Sequence, residues 1–220
     1  MEKAKTQVSR SINYALRRED KLSIQVQTKL YVLVFCAWVE ANFSKVIHTP
    51  YGFSLDEIRQ IKEAYKSNSL KDGWNKCIEL GLKRVTNNPK SNYIPNIKQR
   101  LKDIVSEYVV SPSLIRNKIA HGQWDIALNR DNTALNPELT NKLSQLDVVT
   151  VNRWFIAHEF LAQIVESLIE SPERVFNRDY WVLIEELEIS LEKSKDWSLN
   201  SKKQRLKLKP TNPNSLLQNK

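Results

Sequence analysis

Apolar residues recur at three- and four-residue intervals along most of this chain, and that period restricts its fold more than any other feature. From Pro95 to Val110 the positions Ile97, Leu101, Ile104, Val105 and Tyr108 fall on one face of a 3.6-residue helix. The stripe Leu30, Leu33, Val34, Ala37, Trp38 and Ala41 precedes a stop near His48, ahead of Thr49-Pro50. From Leu143 to about Leu168 the repeat is Trp154, His158, Leu161, Val165 and Leu168. A last long helix, begun by Ser171-Pro172-Glu173, carries Phe176, Tyr180, Leu183, Leu187 and Leu191 to about Trp197. Each stripe has to be buried against another element, so the series specifies an all-α, multi-helix bundle. Only four glycines in 220 residues argue against a β-rich or dinucleotide-binding α/β fold.

Shorter helices fill the intervals. Lys3 to Glu19 places Val8, Ile12, Ala15 and Leu16 at helical spacing, with a basic opposite face. Ser54 to Ser67 opens on the S-x-x-E pattern of a capping box, Ser54 and Glu57. Lys71 to Val85 carries Trp74, Cys77, Ile78 and Leu82 and ends at an Asn87-Asn88-Pro89 turn. One helical domain over 1–197 is expected, followed by a Lys- and Asn-rich tail over 198–220 without structure.

Cys36 and Cys77 lie in helical patterns with no CxxC spacing and read as buried small hydrophobes. The N-terminus is too polar for a secretory signal, and no apolar run approaches the length of a membrane span, so a cytoplasmic protein is expected. Of the net charge of +9, six charges sit between Ser198 and Lys220, where there is no acid. The body of the chain is only mildly basic. No Walker loop, GxGxxG after a strand, HExxH or clustered carboxylates occur, so neither cofactor nor metal is expected.

Function is most legible between Ser111-Pro112 and Gly122. Serine followed by proline is a helix start, glycine a stop, and about ten residues lie between. Ile115 and Ile119 stack on one face, while Asn117 and His121 stack on nearly the opposite one. Arg116 precedes His121 by five residues, roughly 140° around the helix, so the two diverge. A guanidinium matches phosphate oxygens, an imidazole exchanges protons near neutral pH, and an asparagine orients either. The plain alternative is a capping histidine with Arg and Asn beside it by coincidence. After Gly122 the pattern Gln123 to Leu128 alternates, Asn129 to Asn132 is a turn, and Thr133 to Leu135 is expected to pair back as a small hairpin.

The run Ile115-Arg116-Asn117-Lys118-Ile119-Ala120-His121-Gly122 resembles the signature of the HEPN superfamily, an Arg followed after four to six residues by a His. The likeness is good over 111–128 and loose over 20–195. It implies a metal-independent endoribonuclease, acting as a toxin or phage-defence effector, whose two Arg…His motifs meet at a homodimer interface in one composite site. His121 would be general acid or base, Arg116 would hold the phosphate, and Asn117 would orient them. Lys118 would help bind RNA. Members of that family often place a polar or acidic residue of an early helix near the cleft; Glu40 is the candidate, with an ordinary solvated acid as the other reading. The expected product carries a 2′,3′-cyclic phosphate. An antitoxin or another defence component is a further expected partner, whereas a membrane is not. Some toxins of the family carry a tyrosine two residues after the motif His, modified by a partner nucleotidyltransferase; here that position is Gln123, which puts this route in doubt. Two alternatives remain: a HEPN domain that binds RNA, nucleotide or protein without cutting, and a helical scaffold on which the spacing means nothing. His48, in a last helical turn, reads as a cap on the helix dipole, and His158, on an apolar stripe, as a satisfied core or interface histidine.

Overall fold

The computed structural model describes residues 1–67, 69–85 and 92–208, and the chain is an all-α bundle. The Asn87-Asn88-Pro89 turn lies outside the described residues. α1 (Glu2–Arg18) and α2 (Lys21–Ile47) form an antiparallel hairpin. Glu19 turns the chain in the left-handed region (φ 58°), and the Asp20 carboxylate then accepts the Ser23 N–H at 3.0 Å to cap α2. At the far end Trp38 Nε1 donates to Glu2 Oε1 at 2.8 Å, tying the start of α1 to the second half of α2.

α2 is the spine. Its rings Tyr31, Phe35 and Trp38 interlock with Trp154, Phe155 and His158 of α8 (Val148–Glu170), with Phe35 and Phe155 edge to face at 5.0 Å. By length and composition α2 could cross a bilayer, contrary to the expectation that no run comes close. Its apolar residues face α1, α6 and α8, as those of a core helix do.

Around this spine run α3 (Leu55–Ser67), α4 (Leu70–Leu82), α5 (Tyr93–Val105), α6 (Ser111–Ala120), α7 (Pro137–Ser144), α9 (Asn177–Lys193) and α10 (Leu199–Leu208). The capping box of α3 forms as expected: Ser54 N donates to Glu57 Oε2 at 2.8 Å, and Glu57 N to Ser54 Oγ at 3.3 Å. His48 is the C-cap of α2, its Nδ1 2.7 Å from the Ser44 carbonyl, which fixes that nitrogen as the N–H that donates.

Four expectations need correction. Ser111 is not a cap: α5 passes into α6 without a break, through a π turn over Ser106–Val110. Pro112 cannot donate to the carbonyl four residues back, and the wider turn, closed by Ser111 N–H to Ser106 O, absorbs that loss. The buried stripe therefore slips by one residue, Val109 being buried in place of Tyr108. The helix expected from Leu143 begins instead at Val148, because Asp147 is extended and its carboxylate accepts the Thr150 N–H at 2.8 Å; Leu143 belongs to α7, started by Asn136-Pro137. The tail is not unstructured from Ser198: Leu199–Leu208 is helical, with Leu199 and Leu206 packed on the core, while Lys209 onward lies outside the described residues.

The hairpin, last, shrinks to one antiparallel bridge between Leu128 and Leu135, and no strand occurs among the described residues. Side chains have taken two donors a ladder would use: Thr140 Oγ1 accepts the Ala127 N–H at 3.0 Å and Asn129 Oδ1 the Ala134 N–H at 3.4 Å. The Leu128 groups point away from the paired segment, where Lys118 Nζ donates to the carbonyl at 2.6 Å and Gln123 Oε1 accepts the N–H at 2.8 Å.

Candidate active site

The slip at the π turn decides what α6 shows to α2. Val109, Ser113, Arg116 and Asn117 fall at helical spacing on one face, opposite Phe35, Cys36, Val39 and Glu40 of α2. Between the two faces lies a cleft of about 430 Å³, closed at one end by Tyr65 and Lys66 of α3 and by Ser69 and Leu70 at the start of α4. Its floor is apolar and its rim polar, the usual make-up of a ligand site.

At the rim Arg116 Nη1 donates to Asn117 Oδ1 at 3.0 Å, and Nη2 lies 3.4 Å from Glu40 Oε1. Side chains 76 residues apart thus converge, and Glu40 is a partner of the motif arginine instead of an isolated solvated acid. Arg116 and Glu40 keep 40% and 46% of their side-chain surface exposed, so the pair is wet and an incoming anion can compete for the guanidinium. Below them burial pushes the Cys36 thiol up to about 12, with the Arg116 charge opposing and the Glu40 charge reinforcing the rise. A thiol so held is protonated and a poor nucleophile.

His121 sits one turn beyond Asn117 as the C-cap of α6 and does not line the cleft. It is exposed, and among the described residues its imidazole has no hydrogen-bond or ion-pair partner. Its place is fixed by backbone. Gly122 takes φ +76°, its N–H reaches Ile119 O at 3.1 Å, and Gln123 N–H reaches Lys118 O at 2.9 Å, the paired bonds of a Schellman end.

Lys118, expected to bind substrate, faces away from the cleft and holds the Leu128 carbonyl. The 123–128 segment is fastened further by Lys29, whose Nζ lies 2.8 Å from Asp125 and 5.4 Å from the centre of the Trp124 ring. The structure therefore gathers Arg116, Asn117 and Glu40, leaves His121 alone at the helix end, and assigns Lys118 to the scaffold. Tyr65 and Ser113, cleft residues not singled out in the sequence, had no local signal: one is an aromatic on an amphipathic helix, the other a serine in a helical run. Among the described residues no three His, Cys, Asp or Glu side chains gather as metal ligands would.

No protein-family model, curated protein or solved structure matches the chain.

Proposed function

We propose that the protein is a metal-independent endoribonuclease of the HEPN type, acting in the cytoplasm as a toxin or phage-defence effector. The observation that carries the reading is the pairing at the cleft rim. A guanidinium held by Asn117 and Glu40 stands at the mouth of a cavity, and one helical turn beyond Asn117 is an exposed imidazole without a partner among the described residues. RNA contains its own nucleophile. A general base removes the 2′-OH proton, the oxygen attacks the adjacent phosphorus, a general acid protonates the departing 5′-oxygen, and a 2′,3′-cyclic phosphate remains. His121 serves as acid or base, and Arg116 stabilises the charge gathering on the phosphorane oxygens.

Arg116 and His121 do not meet within one chain, so the reading requires two copies of α6 across a two-fold axis. Leu114, 46% exposed and at helical spacing from Asn117 and His121, supplies an apolar contact for that face. A second reading, a domain that binds RNA, nucleotide or a protein partner without cutting, is favoured by one observation: Arg116 already carries a carboxylate partner.

Incubation with total RNA in EDTA separates the two. The parent is expected to cleave, leaving cyclic phosphate ends, with His121→Ala and Arg116→Ala each slower by about a hundredfold or more. RNA binding without cleavage supports the second reading. Cleavage that survives both substitutions, or that the chelator stops, overturns the first.

A further inference from the structure

The described part of the tail folds back on the first helix, and the surface they form together has no part in the cleft. Lys203 and Lys207 close on the Glu19 carboxylate at 2.9 and 2.6 Å, which sets α10 against the C-terminal end of α1. These two ammonium groups hold the Glu19 carboxyl down at about 2, so the carboxylate linking the helices stays ionised at any ordinary pH. α10 has four basic residues and no acid. On α1, Lys3, Arg10, Tyr14 and Arg18 recur at helical spacing along the exposed stripe.

Two exposed aromatic rings, Tyr14 on α1 and Trp197 just before α10, each have an arginine against them. Tyr14 is 54% exposed; its hydroxyl accepts from Arg18 at 2.6 Å, and the guanidinium carbon lies 5.4 Å from its ring centre. Trp197 is 40% exposed, with the Arg205 guanidinium 5.4 Å from its ring.

We propose that the face formed by α1 and α10 binds single-stranded polynucleotide, phosphates lying on its arginines and lysines and unpaired bases stacking on Tyr14 and Trp197. The charge draws in a polyanion through counterion release. The rings choose among polyanions, because an unpaired base offers a free π face that a duplex keeps stacked inside. A lipid surface fits poorly: Leu199 and Leu206 turn inward, leaving Leu208 as the one well-exposed leucine of α10 and no apolar stripe to insert. An acidic protein would match the charge and leave the rings unused. The inference stands whether or not the cleft cuts RNA. If it does, this face holds the strand on which the cleft acts.

The test uses the full chain carrying His121→Ala, so that RNA stays intact, and measures fluorescence anisotropy against salt concentration. Probes are labelled oligo(U), oligo(dT) and an RNA duplex of equal length, with phosphatidylserine vesicles as the lipid arm. Variants on this background are Arg10→Gln/Arg18→Gln/Arg205→Gln combined, Tyr14→Ala and Tyr14→Phe, each checked by thermal melting for an unchanged fold. The triple variant is expected to lower the log–log salt slope by about 2, at roughly 0.7 per lost phosphate contact on a single strand. Tyr14→Ala should weaken oligo(U) binding about tenfold and Tyr14→Phe hardly at all. Equal binding of oligo(U) and oligo(dT) supports a face reading phosphate and base alone; preference for oligo(U) adds a ribose contact to the same face. Failure to bind either strand, parental affinity in the triple variant and Tyr14→Ala, a duplex bound as tightly as the single strands, or binding confined to vesicles each overturns the proposal. Absence of cleavage in the EDTA assay leaves these outcomes untouched, so the two readings fail separately.

Discussion

His158 gives the sharpest quantitative prediction. It is fully buried on α8 with its ring 5.1 Å from Trp38 and 5.4 Å from Trp74, and neither ring nitrogen has a hydrogen-bond partner among the described residues. Desolvation alone pushes its pKa from 6.5 down to about 3. In the unfolded chain the imidazole returns to its ordinary value, so between those two limits the unfolded state binds a proton that the folded state refuses. His158 therefore leaves stability unchanged above about pH 7, costs stability progressively as the pH falls below 6.5, and costs no more once the pH passes below the folded value. Each pH unit in that window is about 1.4 kcal/mol, so moving from pH 7 to pH 5 removes about 2 kcal/mol through this one side chain. The assay is urea unfolding of the parent and of His158→Leu and His158→Phe at both pH values. Absolute stabilities at pH 7 will differ with packing and are not the readout. The quantity compared is the pH 7 to pH 5 difference within each protein, in which the carboxylates common to all three cancel. The parent should lose about 2 kcal/mol more than either variant. Equal losses in all three would show that the ring is solvated or partnered, and the argument from desolvation would fail.

Two further predictions concern the end of α6. In Gly122→Ala the new Cβ meets nothing within 4 Å, so only the positive φ is penalised: about 1 kcal/mol, or about 3 °C in Tm, with Gly122→Asn costing less. A loss several times larger, read by calorimetry, would mean the turn is held by contacts and not by its backbone. Lys29 is 3% exposed and its partner Asp125 72%, so the pair should be asymmetric. Asp125→Ala strands a buried ammonium and should cost about 2 kcal/mol, whereas Lys29→Met keeps the buried stem, leaves an acid in water, and should cost under about 1. Chemical denaturation giving the opposite order would refute this.

What the sequence disclosed was local in origin. The capping box at Ser54 and Glu57, the stop at Gly122 and the cap at His48 each depend on side chain and backbone within a few residues, and each forms as read. The core place of His158 was legible from its stripe, but the ring expected to be satisfied there has no hydrogen-bond partner among the described residues. Events decided by partners far along the chain were hidden. Glu40 meets Arg116 across 76 residues, Lys118 is claimed by a carbonyl in the segment after its own helix, and Leu199–Leu208 of the basic tail packs as a helix with Leu199 and Leu206 on the core and Lys203 and Lys207 on Glu19. Charge in a tail reads as solvation only while no acid is known to be near.

The Ser-Pro dipeptide occurs twice and shows why punctuation alone could not settle the site. At Ser171-Pro172 the backbone of Ser171 is extended (φ −150°), its hydroxyl accepts the Val175 N–H at 3.5 Å, and a helix does begin, through a π turn. At Ser111-Pro112 the same pair follows a helical Val110, and the π turn falls before the proline. Proline demands only that one carbonyl lose its partner, and a chain can meet that demand by starting a helix or by widening one already running. Where it widens, every later side chain turns relative to the stripe before it. Arg116 thus faces Glu40 because of a proline four residues earlier, in a helix whose apolar period alone would have placed Tyr108 where Val109 now lines the cleft.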